Sequence, residues 1–318
     1  MVQPRRALLR QIALAAPLLA AGAGQAQPVT IRLGTATPGG GFPVWGDAFV
    51  GALRGVDPTL DIQPVNTKGS TENVPRLETG TLDIALVQGE VVHEALSGIG
   101  RPPADLRVIT AMYPTAGMFV VRADSPYRAI ADLRGLPIAW GAQGSGLVIL
   151  GRYAMDGLGL DAARDFRPIY LERAGDGPAL VLEGGAAALW GGGAGWPGFA
   201  AVTGSPGGGR FVAPTADEIA RILARHAFLK RVVQPAGSFP GQDAPIESVG
   251  SWSFVLARPD LPDSVAGRIA RALHVIESSG AAPPQLRETT LANTLAVSPP
   301  GRLHPGVAAY LRDIGLSR

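Results

Sequence analysis

The chain has 318 residues, more than one hydrophobic core commonly holds, so one large domain or two lobes is expected. It contains no cysteine, which excludes disulfides, thiolate nucleophiles and cysteine-based zinc sites. A 46% apolar content excludes disorder despite 43 glycines and 28 prolines, and the formal charge of +2 carries no basic excess of the kind nucleic acid selects.

The first element is a leader. Residues 1–26 place Arg5, Arg6 and Arg10 ahead of an apolar run from Ile12 to Ala21 and small residues ending at Ala26. That is a three-part secretory signal whose apolar run is too short to span a bilayer. Cleavage is expected after Ala26, with Ala23 the second choice, and through the general secretory route rather than the twin-arginine route that Arg5-Arg6 hints at. Removing the leader leaves 25 basic side chains facing 26 acidic ones, and no later apolar run of spanning length.

From Val29 the pattern is strand, glycine-rich loop, helix, repeated. "VTIRLG" meets "TATPGGGFP" and a helix over Val44–Arg54; "LDIQPV" meets "NTKGS" and a helix from Thr71 to Gly80; "LDIALVQ" precedes a helix over Glu90–Leu96. Two strands, "RVITAMY" and "GMFVVRA", are expected on either side of Pro114-Thr115-Ala116. A short helix, the strand "LPIAWGA", the loop "QGSG" and a long helix follow. "PALVLEGGAAALWGGGAGWPGF" gives another helix and a strand ending in glycine. After an unstructured run over Pro235–Val249 comes the strand "SWSFVLA", then helices over Asp263–Ser278 and near Pro305–Ile314. Strands alternating with helices predict two α/β lobes, each a mostly parallel sheet flanked by helices. Lobe 1 takes residues 27–115 and 240–318 and lobe 2 takes 116–239, with crossovers near 113–118 and 238–253.

Ligands of open α/β sheets bind beyond the carboxyl ends of the strands. Four glycine-rich loops fall there: Thr35–Phe42, Thr67–Ser70, Gly141–Gly146 and Gly191–Gly195. Glycine lets backbone approach a ligand, and the following helix N-terminus offers free N–H groups and positive partial charge, which suits an anion. No arginine lies inside these loops; Arg76, Arg122 and Arg152 are the nearest in sequence.

The enzyme signals are weak. "GAGWPG" at Gly193–Gly198 spells a dinucleotide fingerprint, but late in the chain and with Pro197 inside it. No serine has the Gly-x-Ser-x-Gly elbow, and His93, His226, His274 and His304 lack metal-ligand spacing. Glu72, Asp83 and Glu90 lie near the loops without forming an acid–base pair. No catalytic residue, cofactor or metal is expected.

"IRLGTATPGGGFPVWG", "VNTKGSTENVPRLETGTLDIALVQ", "DLRGLPIAWGAQGSG", "GSFPGQDAPIESVGSWSFVLARPDLP" and "RLHPGVAAYLRDIG" resemble the TAXI-type solute receptors of tripartite ATP-independent periplasmic (TRAP) transporters, from about Ile31 to Gly315. The resemblance implies a two-lobed periplasmic binding fold, type II-like, closing as a monomer on a small anionic solute of the glutamate or 2-oxoglutarate kind. The partner it implies is a TRAP-type membrane permease, with neither nucleic acid nor membrane insertion of the mature chain. A receptor for an ATP-driven transporter, a ligand-sensing subunit of a signalling system, or a periplasmic enzyme on the same fold are the alternatives. One departure stands out: Ala187 or Ala188 sits where the family pattern has an acid, with Trp190 and Trp196 nearby.

The ligand-binding candidates are Thr35, Gly40, Gly41 and Phe42 in the first loop, Thr67, Gly69, Ser70 and Asn73 in the second, and Gln88 after the third strand. From the other lobe come Gly144, Ser145, Gly146, Trp190 and Gly191. The N–H groups of Ser70 and Thr71 are expected to point at the solute and Asn73 to donate its amide, while Lys68 faces solvent and Glu72 faces away. The alternative is that Ser70 only caps its helix and Asn73 faces water. Phe42, Trp140, Trp190 and Trp196 are either lobe core or cleft wall.

Overall fold

The computed structural model describes residues 28–193 and 195–316, so the leader expected at residues 1–26 lies outside the described residues. The first half alternates as its sequence predicts: β1 (Val29–Gly34), α1 (Gly41–Val56), β2 (Leu60–Val65), α2 (Ser70–Glu78), β3 (Ile84–Val87) and α3 (Gly89–Ser97). β1 lies between β2 and β3, parallel to both. The carboxyl ends of all three strands therefore point the same way, and the loops that follow them share one edge. Helix α1 opens at Gly41, earlier than the expected Val44. Pro43 allows this, because a residue in a first helical turn has no intrahelical N–H partner to lose.

A second unit is built from β5 (Pro137–Ala142), α4 (Gly146–Gly157), β6 (Arg167–Leu171), α5 (Gly177–Leu182), β7 (Ala188–Gly191) and α6 (Pro197–Thr203). β5 runs parallel to β6 and β7. β8 (Gly209–Val212), α7 (Ala216–Arg225) and β9 (Lys230–Gln234) complete it.

Between the units the expectation fails in an informative way. "RVITAMY" and "GMFVVRA" are one 16-residue strand, β4 (Arg107–Arg122), that runs straight through Pro114. Pro114 faces Trp252, beside a register shift between Trp252 and Phe254 in the partner strand, where a missing N–H is tolerated. That partner, β10 (Ile246–Ala257), begins inside the run expected to lack structure. It pairs antiparallel with β4, with β3 through Phe254–Ala257 and with β9 through residues 246–250. β4 in turn pairs with β7 through residues 118–120. The two long strands thus belong to both units, and the sheet order is β2-β1-β3-β10-β4-β7-β5-β6, with β8 on β4 and β9 on β10. The sheet is mixed rather than mostly parallel: β1–β3 and β5–β7 pair parallel among themselves, and every pairing to β4 or β10 is antiparallel.

Each unit has a core on both faces of its sheet. Trp45, Phe49 and Leu53 of α1 pack with Ile269 and Leu273 of α8 (Asp263–Ser278) and Val307 of α10 (Pro305–Asp313). Val74, Leu77, Val91 and Ala95 of α2 and α3 fill the opposite face, which α9 (Leu291–Val297) borders through Val297. In the second unit Leu150, Met155, Ile219 and Ile222 surround Trp140 and Trp190, while Phe199, Val202 and Trp196 cover the other side.

Candidate functional site

The stretch "NTKGSTEN" is a brace before it is anything else. Thr67 Oγ1 donates to the Thr35 carbonyl at 3.1 Å and accepts from the Gly69 N–H at 3.1 Å. Asn73 is fully buried, and its amide nitrogen donates to the carbonyls of Thr35 and Leu86, both at 2.8 Å. The Thr35 hydroxyl ties the end of β1 to the Val65 carbonyl at 3.1 Å. Thr35, Thr67 and Asn73 therefore fasten the loops after β1, β2 and β3 to one another, and none of them faces a cavity. Asn73 therefore faces neither bulk solvent nor the cavity described next. Ser70 likewise does not cap its own helix: Gly69 is the N-cap, and Ser70 Oγ accepts from the Gln88 N–H at 3.0 Å.

Against this braced edge lies a cavity of about 40 Å³, bounded by both units. One ordered water needs about 10–15 Å³, so the space holds about three water-sized positions. Gly40, Gly41, Phe42, Gly69, Ser70, Gln88, Ser145 and Gly146 line it, and Lys68 borders it while remaining exposed, as expected. Trp190 does not: it is 1% exposed, its ring meets Phe119 and Trp140, and its indole N–H donates to the Leu147 carbonyl at 2.8 Å. Gly191 instead seats Trp196, whose ring would lie 2.1 Å from any Cβ there, and Trp196 is the indole that reaches the cavity. Trp140 belongs to the same core as Trp190. Ala187 and Ala188 pack with that core too, so the position of the missing acid is away from the cavity. Ala36, Thr37, Ala142 and Gly192, from the loops singled out in the sequence, complete the wall together with Tyr113, Thr115, Leu147 and Ala174, which were not foreseen. Tyr113 and Thr115 lie on β4, beside the proline that suggested a break.

The wall presents donors. Gln88 is 4% exposed, and its side-chain Nε2 has no hydrogen-bond partner among the described residues. Helix α1 begins at Gly41 without a side-chain cap, leaving first-turn N–H groups toward the cavity. Ser145 caps α4 by accepting from the Leu147 N–H at 3.1 Å. Burial pushes the Tyr113 phenol well above its ordinary range, so the hydroxyl keeps its proton. Directly behind Gln88 in the chain, Glu90 is fully buried. Its Oε1 accepts from Ser251 of β10 at 2.7 Å, while Oε2 has no partner. Burial pushes this carboxyl up to about 7, a rise that the Ser251 hydroxyl partly offsets.

The units touch directly around the cavity. The Thr71 N–H and hydroxyl both donate to the Gly144 carbonyl, at 3.2 and 3.0 Å, so Thr71 closes a seam instead of meeting a solute. The Ala174 N–H donates to Thr37 Oγ1 at 3.1 Å and the Gly175 N–H to the Pro38 carbonyl at 3.3 Å. Farther out, Glu94 of α3 pairs with Arg152 and accepts from the Tyr153 hydroxyl at 2.9 Å, and His93 stacks on Phe228 at 4.0 Å.

The other arginines and histidines singled out in the sequence have partners elsewhere. Arg76 pairs with Glu72 and Arg122 with Asp124. His226 contacts Asp156, His274 the Tyr310 hydroxyl, and His304 caps α10. No group of three metal-ligating side chains occurs among the described residues. A groove of about 1220 Å³ runs along α4, but it is open and its arginines are paired: Arg225 with Asp156, Arg164 with Asp161.

The profile of the NMT1-like family matches residues 33–315. Among solved structures, the periplasmic aliphatic sulphonate binding protein SsuA from Escherichia coli is 21% identical, with 90% of this chain and 84% of that one covered and a TM-score of 0.51. A TctC solute binding protein from Polaromonas is 18% identical over 83% and 87% of the two chains, at 0.50. A structure described as a periplasmic transporter is 15% identical over 90% and 92%, at 0.54. At these identities the likeness is one of fold, and the α/β fold is that of periplasmic binding proteins. No described helix is long and apolar enough to cross a membrane.

Proposed function

The chain belongs to the NMT1-like family, and from that premise we propose that it is a solute receptor closing two lobes over a small anionic solute. The observation that carries this reading is the small donor-lined cavity bounded by loops of both units. In the proposal, residues 27–115 with 240–318 and residues 116–239 move as lobes about β4 and β10, which change partners near Gly117 and Ser251. Gly40, Gly41, Phe42, Gly69, Ser70, Gln88, Ser145 and Gly146 contact the solute; Thr35, Thr67, Asn73 and Gly144 hold those contacts in place.

The solute is a small carboxylate, and the receptor works as a periplasmic monomer that passes it to a TRAP-type permease. The TAXI-like segments support this choice of partner. A catalytic role is not assigned, because the hydroxyls of Ser70 and Ser145 pair with backbone N–H groups rather than with a base.

Thermal-shift screening of the purified protein against organic acids, followed by small-angle scattering, tests the proposal. A hit should raise the melting temperature and compact the particle, because a solute touching both lobes favours the closed form by its differential contacts. Tight binding with an unchanged radius would remove closure. No stabilisation by any anion would remove the receptor.

A further inference from the structure

Resting on the receptor reading above, we infer that the cavity selects compact anions that carry no ammonium group and excludes the matching α-amino acids. An ammonium has three donors and no acceptor, so it needs oxygen acceptors with free lone pairs or a carboxylate. The wall has no carboxylate to offer, and its acceptors are hydroxyl and amide oxygens. No aspartate or glutamate lines it, and its one charged side chain is Lys68.

The oxygens nearest the seam are already occupied. The Thr35 carbonyl accepts from both Thr67 and Asn73, and the Gly144 carbonyl accepts from both donors of Thr71. A carbonyl has two lone pairs, so neither has one left. The hydroxyl oxygens of Thr37, Ser70 and Ser145 each accept from a backbone N–H, of Ala174, Gln88 and Leu147. Each is left with one lone pair and with a proton free to be donated into the cavity.

Two independent features point the same way. The first turns of α1 and α4 meet the space, and the positive ends of helices repel a cation. The unpartnered Gln88 Nε2, on a side chain 4% exposed, is a donor awaiting an acceptor. Glu90, whose charged form the Gln88 side chain favours as Ser251 does, adds a carboxylate behind Gln88 but does not line the cavity.

The test is calorimetry on the purified protein with three matched pairs: glyoxylate and glycine, pyruvate and L-alanine, 2-oxoglutarate and L-glutamate. Each pair differs in an oxo group against an ammonium. At least one oxo acid should bind, at least ~10-fold more tightly than its amino partner, with no pair reversed. Gln88→Glu places a carboxylate on the wall and should move the oxo-to-amino preference at least ~10-fold toward the amino acid. An amino acid that binds the unaltered protein as tightly as its oxo acid overturns the selectivity and leaves the receptor standing. If no member of any pair binds a folded protein, the inference falls together with the reading beneath it.

Discussion

Replacing Glu90 by glutamine imitates its protonated form. The Oε1 that accepts from Ser251 is kept, and an amide N–H₂ stands where the unpartnered Oε2 was. Burial raises the folded-state pKa from 4.5 to about 7. The native state therefore holds a proton that the unfolded chain has released over that interval. Below pH 4.5 both states are protonated and the carboxyl imposes no penalty. As pH rises from 4.5 to about 7 the unfolded chain ionises freely while the native state holds its buried proton, so stability falls across that interval and levels off above it. A shift of this size, at about 1.4 kcal/mol per unit, amounts to about 3 kcal/mol. Urea denaturation of both proteins at pH values on either side of that interval reads the effect. The unaltered protein should lose about 3 kcal/mol relative to Glu90→Gln between the low and high limits, the variant being the more stable at high pH. Parallel stability curves would show that Glu90 is ionised or hydrated in the fold, and the accounting would be wrong.

Gly69→Ala should impair closure, because Gly69 has a φ of +117° and an added Cβ would sit 2.8 Å from the Gly144 carbonyl. Solute affinity measured by calorimetry should fall at least ~10-fold, about 1.4 kcal/mol; an unchanged affinity would take the seam out of the binding reaction. Ser70→Ala and Ser145→Ala should each weaken binding by roughly 1–2 kcal/mol, the cost of one lost hydroxyl partner, whereas Arg76→Ala, Arg122→Ala and Arg152→Ala should leave it near its original value. One arginine variant that abolishes binding while both serine variants bind normally would replace the donor wall with a salt bridge. Of the indoles, Trp196 reaches the cavity while Trp140 and Trp190 are core, so Trp196→Phe should remove the solute-induced change in tryptophan fluorescence. A change that survives in that variant would place the sensing indole elsewhere.

The strand–loop–helix order of the first unit was legible because its signals are local. "VTIRLG" and "LDIQPV" alternate, "LDIALVQ" is continuously apolar, and each meets turn residues and then an amphipathic run. The glycine loops also landed where open α/β sheets put ligands. What was hidden depends on atoms distant in sequence. Whether Pro114 ends a strand is settled by the register shift opposite it in β10. Whether Asn73 faces a solute is settled by the Thr35 and Leu86 carbonyls, 38 and 13 residues away. Trp190 and Trp196 look alike in the sequence, and only the Leu147 carbonyl claiming one indole distinguishes them. Tyr113 and Thr115 went unseen for the same reason as the continuity of β4, since a presumed break drew attention away from the side chains around it.

The glycines of the second and third loops also explain why the site can close at all. Thr71 reaches the Gly144 carbonyl with both its N–H and its hydroxyl only if two backbones approach within hydrogen-bond distance. A Cβ on Gly69 would meet the Gly144 carbonyl at 2.8 Å, and a Cβ on Gly144 would meet the backbone and Cβ of Lys68 at 2.6 Å. Either one would hold the two loops apart. In the proposed receptor an open form would leave those groups to water, so the seam by itself would add little net energy, because a typical exchange of water for protein partners contributes only about 0.5–1.5 kcal/mol. On that proposal the balance between open and closed forms is small enough for a solute to tip. A solute that satisfies Gln88 Nε2 and the α1 N–H groups supplies what closure otherwise leaves unpaired. The glycines make the close approach possible, and the unsatisfied donors make it conditional on an anion.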